Sequence, residues 1–175
     1  MNEAIEKHNE LNQKLFDGNR LKPEIVEKIN EIVDVFLESL EEDSIKIQVK
    51  DIILVGSNVS YTYTENSDLD VHIIADIDSL ECPDNLYPLL YSAYKSLFNK
   101  ELDINFYGIP VEIYVETDDT PLRSNGIYSI KANDWIKEPV LDDIQDIDVN
   151  AVYTKVQPFE TRYKEIIDEI KKLDL

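Results

Sequence analysis

Asp68-Leu69-Asp70 sets two carboxylates one residue apart at the head of a stretch that continues through Val71, Ile73 and Ile74. Successive side chains of a strand point to opposite faces, so a strand here sends both carboxylates to one face and Leu69 to the core. Two carboxylates on one rigid element suit a hard cation such as magnesium, which takes oxygen ligands and bridges them to substrate phosphates. The pair also reads as two solvated acids at a strand end, in a chain this acidic. The surroundings bear on the choice. Separated from Asp68 by ten residues, Gly56-Ser57 closes the apolar run Ile52 to Val55. A glycine at that point lets backbone N–H groups approach a phosphate, and Ser57 adds a hydroxyl donor. Further on, Glu112, Tyr114 and Glu116 alternate with Val111, Ile113 and Val115, so a neighbouring strand can deliver a third carboxylate. Three acids from two strands beside a Gly-Ser loop make a two-metal site, with carboxyl oxygens expected to converge within about 5 Å.

The elements that must position these groups follow from periodicity. Ala4, Ile5, Leu11, Leu15 and Phe16 have helical spacing, and Asp17-Gly18-Asn19 ends the pattern, which predicts a first helix. A second helix is predicted from Pro23, with Ile25, Val26, Ile29, Ile32, Val33, Phe36, Leu37 and Leu40 on a broad apolar face. Ile45, Ile47 and Val49 alternate with polar residues and lead into Ile52 to Val55, which predicts a buried strand. Leu69 to Ile74 predicts another strand, and Gly56 to Ser67 the connection. A helix from about Leu86 to Phe98 follows. Asp103 to Phe106 and Val111 to Glu116 form a predicted hairpin, with Gly108 and Pro110 at its turn. Beyond Asp118 the chain is turn-rich, at Pro121, Asn125, Gly126 and Pro139, with a short strand from Ile127 to Ile130 that packs back on the sheet. Val149 to Leu173 again has helical spacing, and Pro158 marks a kink or a fresh start. The fold class is α+β, a mixed sheet flanked by helices with further helices at both ends.

A chain of 175 residues fits one domain with its own core, and 43% hydrophobic with 31% charged residues excludes disordered and low-complexity classes. The lone cysteine, Cys82, has no disulfide partner and no neighbour at metal-ligand spacing, so a reducing compartment is expected, the thiol is read as inert, and zinc is disfavoured. No basic-then-apolar leader opens the sequence, and no apolar run approaches the roughly 20 residues that span a bilayer. A cytoplasmic protein without a membrane partner is expected. The net charge of −20 repels the phosphate backbone of a long nucleic acid, which disfavours that partner. Carboxylates can nevertheless bind a triphosphate once divalent cations lie between them.

Leu54-Val55-Gly56-Ser57, followed after ten residues by Asp68-Leu69-Asp70-Val71-His72, resembles the signature of the nucleotidyltransferase superfamily that includes DNA polymerase beta, CCA-adding enzymes and the antibiotic and antitoxin nucleotidyltransferases. It is closer still to a group of small nucleotidyltransferases encoded largely by bacteriophages. Four further segments carry that likeness: Asp17 to Ile25, Pro110 to Val115, Gly126 to Ile130 and Trp135 to Pro139. The resemblance covers about residues 10 to 140 and implies one polymerase beta-like domain over 1–175. Within it, 1–42 would be N-terminal helices, 45–140 the catalytic core and 149–173 a C-terminal helical segment.

The resemblance further implies that Asp68 and Asp70 hold two magnesium or manganese ions and that Glu112 completes the site, with Glu116 as the fallback acid. Gly56, Ser57 and Ser67 would hold a nucleoside triphosphate. An acceptor hydroxyl would attack the α-phosphorus in line as pyrophosphate leaves, and Glu112 would ligate a metal or accept the proton. Many superfamily members carry a basic residue and a glycine three and four residues after the serine, where this chain has Ser60-Tyr61. Arg123 is the candidate replacement cation, able to fork onto phosphate. His72 reads either as a group orienting a carboxylate or as a histidine satisfied in the sheet. Tyr61, Tyr63 and Trp135 read as base-stacking groups or as packing. The acceptor reads as a small molecule, a protein or a short RNA end. Two other functions share the fold: an antitoxin-like or interaction protein that modifies or binds a partner protein, and a pseudoenzyme that binds nucleotide.

Overall fold

The computed structural model describes residues 7–42, 45, 47–76, 104–117, 120, 123–141, 156–159, 161–164 and 166–167. The predicted helix at Leu86 to Phe98, together with Cys82, Asp103 and Pro121, lies outside the described residues. The chain forms two compact units, Met1–Asp143 and Ile144–Leu175. In the second, residues 156–159, 161–164 and 166–167 are helical, and the Thr161 hydroxyl donates to the Gln157 carbonyl one turn back.

In the first unit, residues 7–15 are bends and turns where a helix was expected. The reason is Asn12. Its side-chain oxygen accepts the Lys14 N–H at 3.0 Å, a local bond that competes with helix, and its carbonyl accepts the N–H groups of Leu15 and Phe16 to close a single turn. The chain then makes a small hairpin from β1 (Phe16–Asp17) and β2 (Arg20–Leu21), with Gly18 at φ 56° in its turn. Leu11, Leu15, Phe16 and Leu21 are buried all the same, so the apolar spacing marked the core but not the helix.

Helix α1 (Pro23–Glu42) starts at a proline, whose fixed φ suits a first turn, and carries Glu24 against the positive end of the helix dipole. Its buried residues Ile25, Ile29, Val33, Phe36 and Leu40 form one stripe at helical spacing. Burying each such side chain contributes about 1.5–3 kcal/mol. The stripe packs in one core with Ile52, Leu54, Leu69, Val71, Ile73, Val111, Ile113 and Tyr128 of the sheet.

The sheet has six strands: β3 (Val49–Val55), β4 (Leu69–Ala75), β5 (Asn105–Phe106), β6 (Ile109–Thr117), β7 (Ile127–Ser129) and β8 (Asp134–Lys137), in the order β5-β6-β4-β3-β7-β8. Strands β4 and β6 run parallel and every other pair is antiparallel. This is the expected α+β class with a mixed sheet. Strand β3 begins at Val49, not at Ile45, although Ile45 and Ile47 still pack against the main core. A bulge between Val49 and Asp51 resets the alternation, which lets Val49 face the same core as Ile52 and Leu54. Ile53 and Val55 point to the opposite face with Ile74 and Ile127.

The β5–β6 hairpin turns at Tyr107-Gly108, both at positive φ, the geometry that matches the twist of paired strands. Pro110 lies within β6 opposite Asn105 and is not part of the turn. Strand β7 packs back on β3 as expected. Trp135 on β8 stacks on Phe16 at 5.5 Å and meets Tyr128 edge-on at 5.0 Å, while its ring N–H donates to the Asn19 carbonyl. It is a packing residue that ties β8 to the N-terminal hairpin.

Candidate active site

The parallel pairing of β4 and β6 places Leu69 beside Val111 and Asp70 beside Glu112. Alternation then buries Leu69, Val71, Val111 and Ile113 beneath and leaves Asp70 and Glu112 half-buried on the opposite face. Asp68 enters from the residue before β4. One carboxylate oxygen from each of Asp68, Asp70 and Glu112 lies within 4.8 Å of the others.

Gly56 follows β3, whose last residue Val55 pairs with Asp70. Its φ of 82° and ψ of −167° belong to a region essentially restricted to glycine. A Cβ there would lie 2.1 Å from Oδ2 of Asp70, so the absent side chain is the space that carboxylate occupies. The Gly56 N–H donates to the Ser124 hydroxyl at 3.2 Å.

After Gly56, residues Ser57–Val59 make one short helical turn. The Ser57 and Ser67 hydroxyls meet at 2.8 Å across the loop, and Ser67 also receives the Thr64 N–H at 2.9 Å. Both serines thus close the loop on itself. Tyr61 packs on the main core, and Tyr63 stacks on His8 at 3.9 Å. The residue that sequence reasoning missed here is Asn58. It is 1% exposed, and its amide nitrogen donates to the backbone carbonyls of Ser67 and Asp68, at 3.2 and 2.6 Å. Its oxygen accepts from the Asn12 amide at 2.7 Å. Its only sequence signal was a polar residue beside Gly-Ser, which does not distinguish a buried clamp from an exposed loop position.

A cleft of about 310 Å³ opens beside the carboxylates, lined by Gly56, Asp70, His72, Tyr114, Glu116, Arg123, Ser124 and Val55. The Tyr114 hydroxyl donates to Oε2 of Glu112 at 2.5 Å. Burial first, then that hydrogen bond and the negative charges of Glu112, Asp70 and Asp68, push the Tyr114 hydroxyl well above the usual tyrosine range. The donor therefore keeps its proton. The His72 ring stacks on Tyr114 at 4.6 Å, and its Nδ1 lies 3.1 Å from Oε2 of Glu116 without hydrogen-bond alignment. Glu116 faces His72, and Glu112 is the acid brought to Asp68 and Asp70. Arg123 is exposed on the rim of the same cleft as Asp70. Ser57 and Ser67 are not among the residues that line it.

The donor set is chemically uniform: three carboxylates, half-buried and convergent, with a glycine cradle for one of them. Hard divalent cations prefer oxygen ligands of this kind. Among the described residues no helix is long and apolar enough to cross a membrane. No curated protein and no solved structure matches the chain. The family model described as "Nucleotidyltransferase domain" matches residues 29–175, most of the chain and all of β3, β4 and β6. With the carboxylate triad inside the residues that this match covers, the chain belongs to the nucleotidyltransferase domain family.

Proposed function

We propose that this protein is a magnesium- or manganese-dependent enzyme that transfers a nucleoside monophosphate from a nucleoside triphosphate to a hydroxyl group and releases pyrophosphate. The observation that carries the proposal is the convergence of Asp68, Asp70 and Glu112 within 4.8 Å beside the Gly56 turn. Bound there, two divalent cations would neutralise phosphate oxygens and acidify the acceptor hydroxyl. Asp68, just before β4, and Asp70 within it would hold them together with Glu112 of β6, with Tyr114 keeping one Glu112 oxygen turned to a fixed donor. Arg123, on the rim of the cleft, would meet the triphosphate with its forked donors. Gly56, Ser57 and Ser67 would shape the loop that holds the nucleotide, the serines through their mutual hydrogen bond. His72, stacked on Tyr114 from the neighbouring strand and paired with Glu116, would hold the Tyr114 ring in place.

The acceptor we propose is a small molecule, a protein or a short RNA end, because a chain of net charge −20 repels a long polyanion. The setting we propose is the cytoplasm, that of a bacterial host if the likeness to phage-encoded enzymes reflects origin. The test is incubation with each labelled triphosphate, magnesium or manganese, and a host extract. Pyrophosphate release that disappears with Asp68→Ala and Asp70→Ala supports the proposal. Release absent under every condition, or unchanged in those variants, refutes it.

A further inference from the structure

We infer that Asn58 is a positioning residue for Asp68, and that Asn12 locks Asn58 in the orientation this requires. The inference rests on the reading of Asp68 as a metal ligand. Asp68 precedes the first residue of β4 and has no register partner, whereas Asp70 is set opposite Val55 and Glu112. The Asn58 side chain supplies the fixing contact: Nδ2 donates to the Asp68 carbonyl at 2.6 Å and to the Ser67 carbonyl at 3.2 Å.

The direction of this network is forced. Two backbone carbonyls can only accept, so the nitrogen of the Asn58 amide must face them and its oxygen must face Asn12. That oxygen needs a donor, and Asn12 provides one at 2.7 Å. Asn12 cannot turn its amide round, because its own oxygen receives the Lys14 N–H at 3.0 Å. Both side chains are buried, Asn58 at 1% and Asn12 at 7% exposure, so water does not substitute for a lost partner. The segment that carries Asn12 is held against the same loop by the His8 N–H, which donates to the Tyr61 carbonyl at 2.8 Å. Residues outside the carboxylate set thus determine where the first ligand's backbone lies, and groups that orient metal ligands typically change metal affinity about 10- to 100-fold when removed.

The experiment measures Mn²⁺ binding to the full chain by electron paramagnetic resonance, with far-UV circular dichroism and thermal melting on the same samples. The variants are Asn58→Ala, Asn58→Leu, Asn12→Ala and Asp68→Ala, with Val33→Ala as a destabilised control remote from the loop. Both Asn58 variants are expected to weaken Mn²⁺ binding about 10- to 100-fold, and Asn12→Ala to weaken it less, in the same direction. Val33→Ala should melt lower with unchanged Mn²⁺ affinity, which separates positioning from general stability. Folded Asn58 variants that bind Mn²⁺ as wild type does, while Asp68→Ala does not, overturn this inference and leave the metal site standing. Should the Asn58 variants fail to fold, Asn12→Ala decides, and unchanged affinity in it overturns the inference. Wild-type Mn²⁺ affinity in Asp68→Ala removes the metal site and the inference together.

Discussion

Gly56→Ala tests the site through one methyl group. The new Cβ would sit 2.1 Å from Oδ2 of Asp70, whereas ordinary contact begins at 3.4 Å, so the carboxylate must withdraw by more than an ångström. Constellations that bind and react need their groups held within about 0.5 Å. A misplacement of an ångström costs on the order of 10²-fold in rate. The backbone adds its own penalty, since φ 82° with ψ −167° costs a residue other than glycine about 1–3 kcal/mol. Gly108→Ala separates the two effects: Gly108 has φ 83°, but a Cβ there meets nothing within 4 Å. Urea unfolding and Mn²⁺-dependent pyrophosphate release, measured on both variants, should give two comparably destabilised proteins of which only Gly56→Ala needs far more metal and turns over about 10²-fold more slowly. A Gly56→Ala protein that is destabilised like Gly108→Ala yet keeps wild-type metal dependence and rate would refute the reasoning.

Three further outcomes are expected. Tyr114→Phe removes the donor to Glu112 and should lower activity about tenfold; in metal-free protein it should also flatten the alkaline limb of a pH–stability profile. The sign follows from a hydroxyl whose folded pKa is raised: its contribution is present below the ordinary tyrosine value of about 10 and is lost as pH climbs above it. Arg123→Ala should raise the KM for triphosphate more than it lowers kcat, and Arg123→Lys should restore only part of the loss, because an ammonium cannot fork onto two oxygens. Phe36→Ala, which empties a fully buried position on α1, should cost about 3–5 kcal/mol in urea unfolding while metal affinity in the folded protein stays the same.

Much of the site was legible because strand parity is strict. Once Leu69 and Val111 are assigned to the core, Asp70 and Glu112 have one face left, and the adjacent positions of β4 and β6 bring them together. Helix α1 was legible for the same reason, with Ile25, Ile29, Val33, Phe36 and Leu40 falling on one stripe. The failures came where a polar side chain competes with the backbone. Asn12 turns residues 7–15 away from a helix although Leu11, Leu15 and Phe16 keep helical spacing, because apolar spacing reports burial and not the path taken to it. The bulge at Val49 was hidden likewise: alternation from Ile45 to Val49 looks continuous until a register shift moves Ile52 to the same face. The Asn12–Asn58 clamp has no sequence period at all, since its members lie 46 positions apart and meet only in the folded chain.

The parallel pairing of β4 with β6 also sets the order in which the protein can assemble. Parallel strands require the chain to return from the end of one to the start of the other, and β4 ends at Ala75 whereas β6 begins only at Ile109. Pairing between positions so far apart in sequence is slow to form, whereas antiparallel β3 and β4 lie closer in sequence and can meet earlier. On that order Asp68 and Asp70 would be placed before Glu112 arrives, and the unfolded chain would not hold the three carboxylates together. A cation that needs all three binds the native state alone, so raising its concentration stabilises the fold by mass action. If β6 docks after the rate-limiting step, the gain appears as slower unfolding and not as faster folding. In a chain that carries 37 acidic residues against 17 basic ones, the ion that serves the chemistry would then also govern how long the folded protein lasts.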